Sequence, residues 1–245
     1  MTTARSFFLA AELLPLRPLE SILAPGGVVV LAPHPDDESL GCGGLIAAAA
    51  TGRAVAVIFV SDGGASHRNS RLYPPELLRR LREEEALAAL SSLGLASGAA
   101  HFLRLEDAAV PTSGAAFDAA ISTILNVVQA AGAGTLLATW QHDPHCDHQA
   151  THAMAVAATR RKPGLLHLAY PVWGHTLPPD TPIPDAPRGA RLDIAAQLPA
   201  KRQAIRAHRS QTTRLIDDDP EGFMLNDAML ARFDRPFEIF LEPSP

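Results

Sequence analysis

The chain has 245 residues, 47% of them hydrophobic and 19% charged, which is enough apolar material for one sizeable core and predicts a single domain over residues 1–245. With 21 basic and 26 acidic side chains the formal charge is -5, and the signs are interspersed, so no basic stripe offers a footing to nucleic acid. No stretch reaches the ~18 uninterrupted apolar residues of a membrane span, and two cysteines, Cys42 and Cys146, are too few for a disulfide framework and favour a reducing cytoplasm.

The opening "MTTARSFFLAAELLPLRPLE" is interrupted by Glu12 before its apolar stretch reaches the length of a signal peptide. "GVVVLAP" (27–33) is apolar and β-branched, the pattern of a strand buried on both faces, and "RAVAVIFVSD" (53–62) repeats it. Between them "ESLGCGGLIAAAATG" predicts a short helix closed by Gly52. Residues 75–94 place Leu77, Leu78, Leu81, Leu87, Leu90 and Leu93 near a 3.6-residue period between Pro75 and Gly94, which predicts a helix. "HFLRL" (101–105) predicts a third strand, residues 115–132 a helix and "TLLATW" (135–140) a fourth strand. The residues after "QHDPHCDH" (141–148) have helical composition and lead to a further strand in "LLHLAYPVW" (165–173). This alternation predicts an α/β protein with a mostly parallel, Rossmann-like sheet and helices on both faces, a three-layer sandwich. Residues 174–190 hold five prolines and no periodicity, and such an excursion is expected to shape a substrate pocket.

In an open parallel sheet, ligands collect beyond the carboxyl ends of the strands. Both polar clusters of the sequence fall there. His34, Asp36, Asp37 and Glu38 follow the first strand, and His142, Asp143, His145, Asp147, His148 and His152 follow the fourth. Adjacent carboxylates repel, and buried ones cost free energy unless a counter-charge or metal compensates. Imidazole plus carboxylate is a ligand set for zinc or a related divalent metal. Helix capping with ordinary surface histidines would explain either cluster alone, but capping does not call for histidine. Spacing leaves the choice of ligands open, since His148 and His152 stand at i and i+4 on a predicted helix, a zinc-gripping geometry.

"PHPDDE" (33–38) together with "HCDH" (145–148) resembles the paired signature of the PIG-L or LmbE-like family of metal-dependent N-acetylglucosamine de-N-acetylases. Weaker matches follow in "SDGG" (61–64), "REEEALAALSSLG" (82–94) and "KRQAIRAHRSQ" (201–211). Position by position, the resemblance implies His34, Asp37 and His148 as metal ligands and Asp36 as general base. It implies His145 as a cationic group that stabilises or protonates the reacting atoms, with Asp147 orienting it. The implied cofactor is Zn2+, with Fe2+, Mn2+ or Co2+ as alternatives, and the implied substrate is a small amino-sugar conjugate that loses its N-acetyl group to metal-activated water. The sequence departs from the family at Cys146, where such enzymes commonly carry proline. A thiolate can bind zinc, but neighbouring side chains on a turn point in different directions.

Arg68, after "SDGG", and Asp107, after the third strand, are candidate substrate-binding residues, the cation for a hydroxyl or phosphate and the acid for sugar hydroxyls. Each is equally explained as a solvated loop residue. Glu38 is expected to hydrogen-bond near the start of its helix, Arg82 and Glu85 to form an ion pair or solvated face, and Cys42 to be a small core residue. His152 and His208 carry no assigned role, and homo-oligomerisation is left open. The rival readings are a phosphoesterase and a non-catalytic nucleotide- or metal-binding module. Two-metal phosphatases need further bridging carboxylates, and "GCGGL" lacks the G-x-G-x-x-G order of a dinucleotide loop.

Overall fold

The computed structural model describes residues 1–243. A strand β1 (Thr2–Thr3) leads into helix α1 (Ala4–Ala11), β2 (Leu16–Arg17) and α2 (Leu19–Ile22). The alternating core follows as β3 (Gly27–Ala32), α3 (Asp37–Ala49), β4 (Val55–Ser61), α4 (Pro75–Ser92), β5 (Ala100–Leu105), α5 (Gly114–Ala130), β6 (Ala133–Thr139), α6 (Cys146–Arg161) and β7 (Leu166–Tyr170). The chain closes with β8 (Pro182–Ile183), β9 (Gly189–Asp193), α7 (Leu198–Ala207), α8 (Arg209–Thr212), α9 (Asp227–Phe233) and β10 (Phe237–Leu241).

The main sheet has eight strands in the order β2-β9-β10-β7-β6-β3-β4-β5. Strands β7, β6, β3, β4 and β5 are parallel, and β10 runs antiparallel to both β7 and β9. The valine run of β3 explains its central place, because successive residues feed two cores. Val28, Val30 and Ala32 pack with Leu40, Leu45, Ala89 and Leu90 on one face, while Val29 and Leu31 pack with Ile121, Ile124, Met154 and Ala155 on the other. The predicted α/β sandwich is therefore the observed fold. No helix of the described residues is long and apolar enough to cross a membrane.

The glycines of "GCGG" serve close packing. A Cβ on Gly41 would lie 2.2 Å from the Tyr170 ring, and one on Gly44 would lie 2.4 Å from Ile194. The helix therefore presses directly on β7 and on the turn after β9. Its Gly44 and Leu45 backbone N–H groups donate to the Glu238 carboxylate at 2.7 and 2.8 Å. Buried Lys201 completes that site with an ion pair to Glu238 at 2.7 Å.

The proline-rich stretch behaves differently from expectation. Its middle pairs β8 with β1, and Pro179 and Thr181 accept the Arg5 and Ala4 N–H groups at 3.1 and 2.8 Å. Ile183 joins Phe7, Phe8 and Trp140 in a satellite core. The excursion is consumed in covering α1, and only its Thr176 lines the main cavity.

Candidate metal centre

The chain runs from β3 outward through β4 and β5 on one side, then returns to place β6 and β7 on the other. The boundary between β3 and β6 is thus a topological switch point, where the exits of two neighbouring strands diverge and leave a crevice. "PHPDDE" leaves β3 and opens α3, while "HCDH" follows β6 and opens α6. Two motifs more than a hundred residues apart in sequence meet there.

His34, His145 and His148 each offer a ring nitrogen within 4.8 Å of the others, and His34, Asp107, His145 and Asp147 form a second overlapping group. Asp37 Oδ2 lies 3.2 Å from both His34 Nδ1 and His148 Nε2 and accepts the His34 backbone N–H at 3.0 Å. Among the described residues the other Asp37 oxygen, Oδ1, is buried without a hydrogen-bond partner, and so is His148 Nε2, whose alignment with Asp37 fails the geometry of a bond. Orphaned buried polar atoms of this kind are costly, and a cation shared by the two would satisfy both. The donor set of imidazole and carboxylate suits a zinc-like ion. Asp143, which carried no assigned role, fixes the tautomer. Its Oδ2 accepts His148 Nδ1 at 3.0 Å and the Val172 and Trp173 backbone N–H groups at 3.0 and 3.1 Å, which leaves Nε2 as the nitrogen that faces Asp37 and could take an ion.

The electrostatics follow from this crowding. Burial disfavours a charged His34, yet Asp107, Asp147 and Asp37 outweigh it and hold the ring well above its ordinary value. Burial likewise opposes charge on His148, but Asp37 and Asp143 raise it to about 9. His145 moves the other way. Burial and the neighbouring His34 and His148 rings lower it, a direction opposed to the cation expected. Its Nδ1 accepts the Asp147 backbone N–H at 3.2 Å, which leaves the proton on Nε2.

Asp147 does not orient His145 through its side chain. Its carboxylate accepts His34 Nε2 at 3.1 Å and the Ala108 and Val110 backbone N–H groups at 2.7 and 3.2 Å. The unpaired backbone donors of the turn after β5 claim this carboxylate, and His145 is left to the helix backbone as an N-cap.

Asp36 is buried and has φ 143°, a conformation in which a non-glycine residue is strained. Burial pushes its carboxyl up to about 7, with Asp37 adding to the rise and the Arg82 guanidinium opposing it. Arg82 holds the strained turn by donating to Pro35 O at 2.7 Å, Gly63 O at 3.0 Å and Asp36 Oδ2 at 3.3 Å. Glu38 accepts the Asp36 N–H at 3.0 Å, Ser39 Oγ at 2.6 Å and His208 Nε2 at 2.9 Å, as its expected place at a helix start requires. Glu85 takes the N–H and Oγ of Ser210 at 2.7 and 2.6 Å. Arg82 and Glu85 are therefore neither a mutual ion pair nor a solvated face. Their positions carried the signal, since Leu78, Arg82, Glu85, Ala86 and Ala89 share the buried stripe of α4.

Asp107 joins the centre, with Oδ1 3.2 Å from His34 Nε2 and Oδ2 accepting the Ala65 N–H at 2.9 Å. Arg68 is exposed and lines the cavity that opens over the group. Cys146 turns toward Ala108 O and Asp147 and stays outside the metal group. His152 turns to Thr139 O at 3.0 Å and lies against the His167 ring at a tilt of 43°, so the i, i+4 pair does not converge. His175 packs on Phe8, and Cys42 is a core residue.

The cavity measures 590 Å3, within the ~300–1,000 Å3 of small-molecule sites. Its floor is His34, Asp36, Asp107 and His145, and its outer wall includes Trp173, Phe223 and Met229. The last two lie in the segment after α8, whose role the sequence did not disclose.

Fold and site define an α/β protein with a His/Asp metal-binding group at the switch point of its sheet. The chain belongs to the PIG-L family, described as GlcNAc-PI de-N-acetylase, which matches residues 29–159. No curated protein matches the sequence. Among solved structures it is similar to the A40926 pseudoaglycone deacetylase Dbv21, at 22% identity and TM-score 0.66, covering 89% of this chain and 96% of that one. It is similar also to the N,N'-diacetylchitobiose deacetylase of Pyrococcus horikoshii, at 21% identity and TM-score 0.64, covering 89% and 84%. The same fold appears in the 4-carboxy-2-hydroxymuconate hydratase GalB of Pseudomonas putida KT2440, at 21% identity and TM-score 0.58, covering 74% and 78%. Likeness at these identities shows the fold, which hosts more than one chemistry.

Proposed function

We propose that the protein is a zinc-dependent hydrolase that removes the N-acetyl group from an N-acetylglucosamine-containing conjugate in the cytoplasm. The observation that carries this reading is the pair of orphaned buried atoms, Asp37 Oδ1 and His148 Nε2, beside a strained, buried Asp36 at the floor of the cavity. His34, Asp37 and His148 would hold the ion. When bound, a zinc ion supplies Lewis acidity and makes water acidic enough to react near neutral pH.

The chain's own residues supply the rest. Asp36 takes the proton of the attacking water, a task suited to a carboxylate whose pKa lies near 7, and returns it to the amide nitrogen as the C–N bond breaks, so that the free amine and acetate leave. The Nε2–H of neutral His145 donates to the oxyanion that develops on the acetyl carbonyl, its orientation already set by the Asp147 N–H. Arg68 and Asp107 bind hydroxyls of the sugar at the rim and floor. The PIG-L family match and the deacetylases among the similar structures support the deacetylase reading.

The test is a panel of N-acetylglucosamine conjugates, with released amine measured before chelation, after chelation and after restoring Zn2+, Fe2+, Mn2+ or Co2+. Amine release that stops on chelation and returns with metal is expected. Product formation indifferent to a strong chelator removes the metal from the reading, and no release from any conjugate by metal-loaded protein removes the substrate class.

A further inference from the structure

The outer wall of the cavity reaches beyond what an acetylated sugar requires. The Trp173 ring stands 6.5 Å from the His148 ring, and Phe223 meets Trp173 edge-to-face at 5.7 Å, so two ring spacings separate the metal group from the end of the wall. Met229 lines the same cavity. A sugar whose acetyl group lies at His34 and Asp36 leaves the outer part of this wall, Phe223 and Met229, to whatever is attached to the sugar.

Phe223 is 38% exposed in the outer wall, a large apolar side chain left in contact with water. The wall is nevertheless built rather than loose. Phe223 N–H donates to Ser66 O at 2.8 Å, and Leu225 N–H donates to Gln211 O at 2.7 Å. Asp219 accepts the Asn69 N–H at 2.9 Å, and Asp218 accepts Ser70 Oγ and the Arg71 and Leu72 N–H groups at 2.7, 2.7 and 3.0 Å. Gly222 lies so close to His67 that a Cβ there would fall 2.1 Å from the ring. Arg68 and Glu221, of opposite sign, share the rim and so favour no ionic group there. Aromatic side chains fixed in this way bind apolar groups at little conformational cost.

Building on the deacetylase reading, we infer that Trp173, Phe223 and Met229 form a subsite for an uncharged apolar aglycone, so that the substrate class is an aryl or alkyl glycoside of the N-acetylated sugar rather than the free sugar or a polyol conjugate. The sugar is held by the polar floor, and the aglycone covers the exposed face of Phe223.

Calorimetric binding of phenyl and methyl β-glycosides of N-acetylglucosamine tests this independently of turnover. The wild type should bind the phenyl glycoside about tenfold or more tighter than the methyl one, the scale of discrimination by a hydrophobic pocket. Phe223→Leu should keep most of that ratio, and Phe223→Ser with Met229→Ser should bring it near one. Phe223 is partly exposed, so its substitution leaves the core untouched, whereas Met229 packs against the main core; Phe223→Ser alone is therefore measured beside the double variant and should lower the ratio by itself. A wild-type ratio near one, no measurable binding of the phenyl glycoside, or a ratio unmoved in the serine variants overturns the inference. Rates on the same two compounds separate the readings. Deacetylation of both without aglycone preference defeats the subsite and spares the function, whereas phenyl-selective binding without deacetylation defeats the function and spares the subsite.

Discussion

Asp36→Asn separates proton transfer from metal binding at one position. The amide is nearly isosteric, the backbone N–H of residue 36 still reaches Glu38 at 3.0 Å, and an oxygen remains for Arg82 at 3.3 Å. What disappears is the proton acceptor. Loss of a positioned general base costs ~10²- to 10⁴-fold in turnover, or about 2.7 to 5.4 kcal/mol of barrier at ~1.36 kcal/mol per decade. The pH dependence follows from the carboxyl near 7. Half the sites carry the base at that pH and about a tenth carry it one unit lower. A bound cation draws the value down, so kcat/KM should rise with pH through a limb at or below about pH 7 in the wild type. That limb should vanish in the variant, while metal content stays at the wild-type level. Amine release across the pH range and elemental analysis on the same preparations decide. A metal-free Asp36→Asn, or a loaded one with near wild-type turnover, refutes the division of labour between Asp36 and Asp37.

The geometry offers His145 as well as Asp37 beside His34 and His148, and single substitutions separate the two sets. Asp37→Ala and His148→Ala should lose bound metal, whereas His145→Ala should retain it and slow the chemical step by ~10²- to 10³-fold, the loss of one oxyanion donor; a metal-free His145→Ala would make it a ligand. Lys201→Met should leave Glu238 buried without its cation, costing about 3–5 kcal/mol and lowering the melting temperature by roughly 6–20 °C in a chain of this length. A calorimetric shift under about 3 °C would mean that the Gly44 and Leu45 N–H groups alone satisfy that carboxylate.

The strands and helices of the parallel core were legible because their signals are local. The valine run of β3 and the leucine period of α4 each show in a short window, and the resemblance carried by "PHPDDE" and "HCDH" implied His34, Asp37 and His148, which the fold brings together. The rest depended on chain folding back from a distance. Asp147 looked like a partner of His145 two residues away, but its carboxylate is claimed by backbone donors at 108 and 110, which only the turn after β5 brings near. The prolines of 174–190 promised a pocket wall and instead cover α1, because β8 finds its partner in residues 2 and 3. Strand β10 completes the sheet antiparallel to β7 with no local cue to its direction. Arg82 was within reach, since it shares the stripe of Leu78 and Ala86, but a charged residue on an apolar stripe declares its partner only when the strand exits are assembled.

Beside Trp173 and Met229, the rim of the cavity draws on two short segments, 66–73 and 216–225, joined by Asp218 and Asp219 on backbone N–H groups. Neither segment contains a strand of the sheet or one of the proposed metal ligands. The pair is therefore exchangeable as a cassette. Grafted together from a relative, the two segments should retarget the catalyst while His34, Asp37 and His148 keep their places. Grafted singly, either would strand carboxylates or amides that its partner had satisfied. Divergence of substrate range within this lineage should accordingly proceed by correlated change in two separated stretches of sequence, while the strand exits stay as they are.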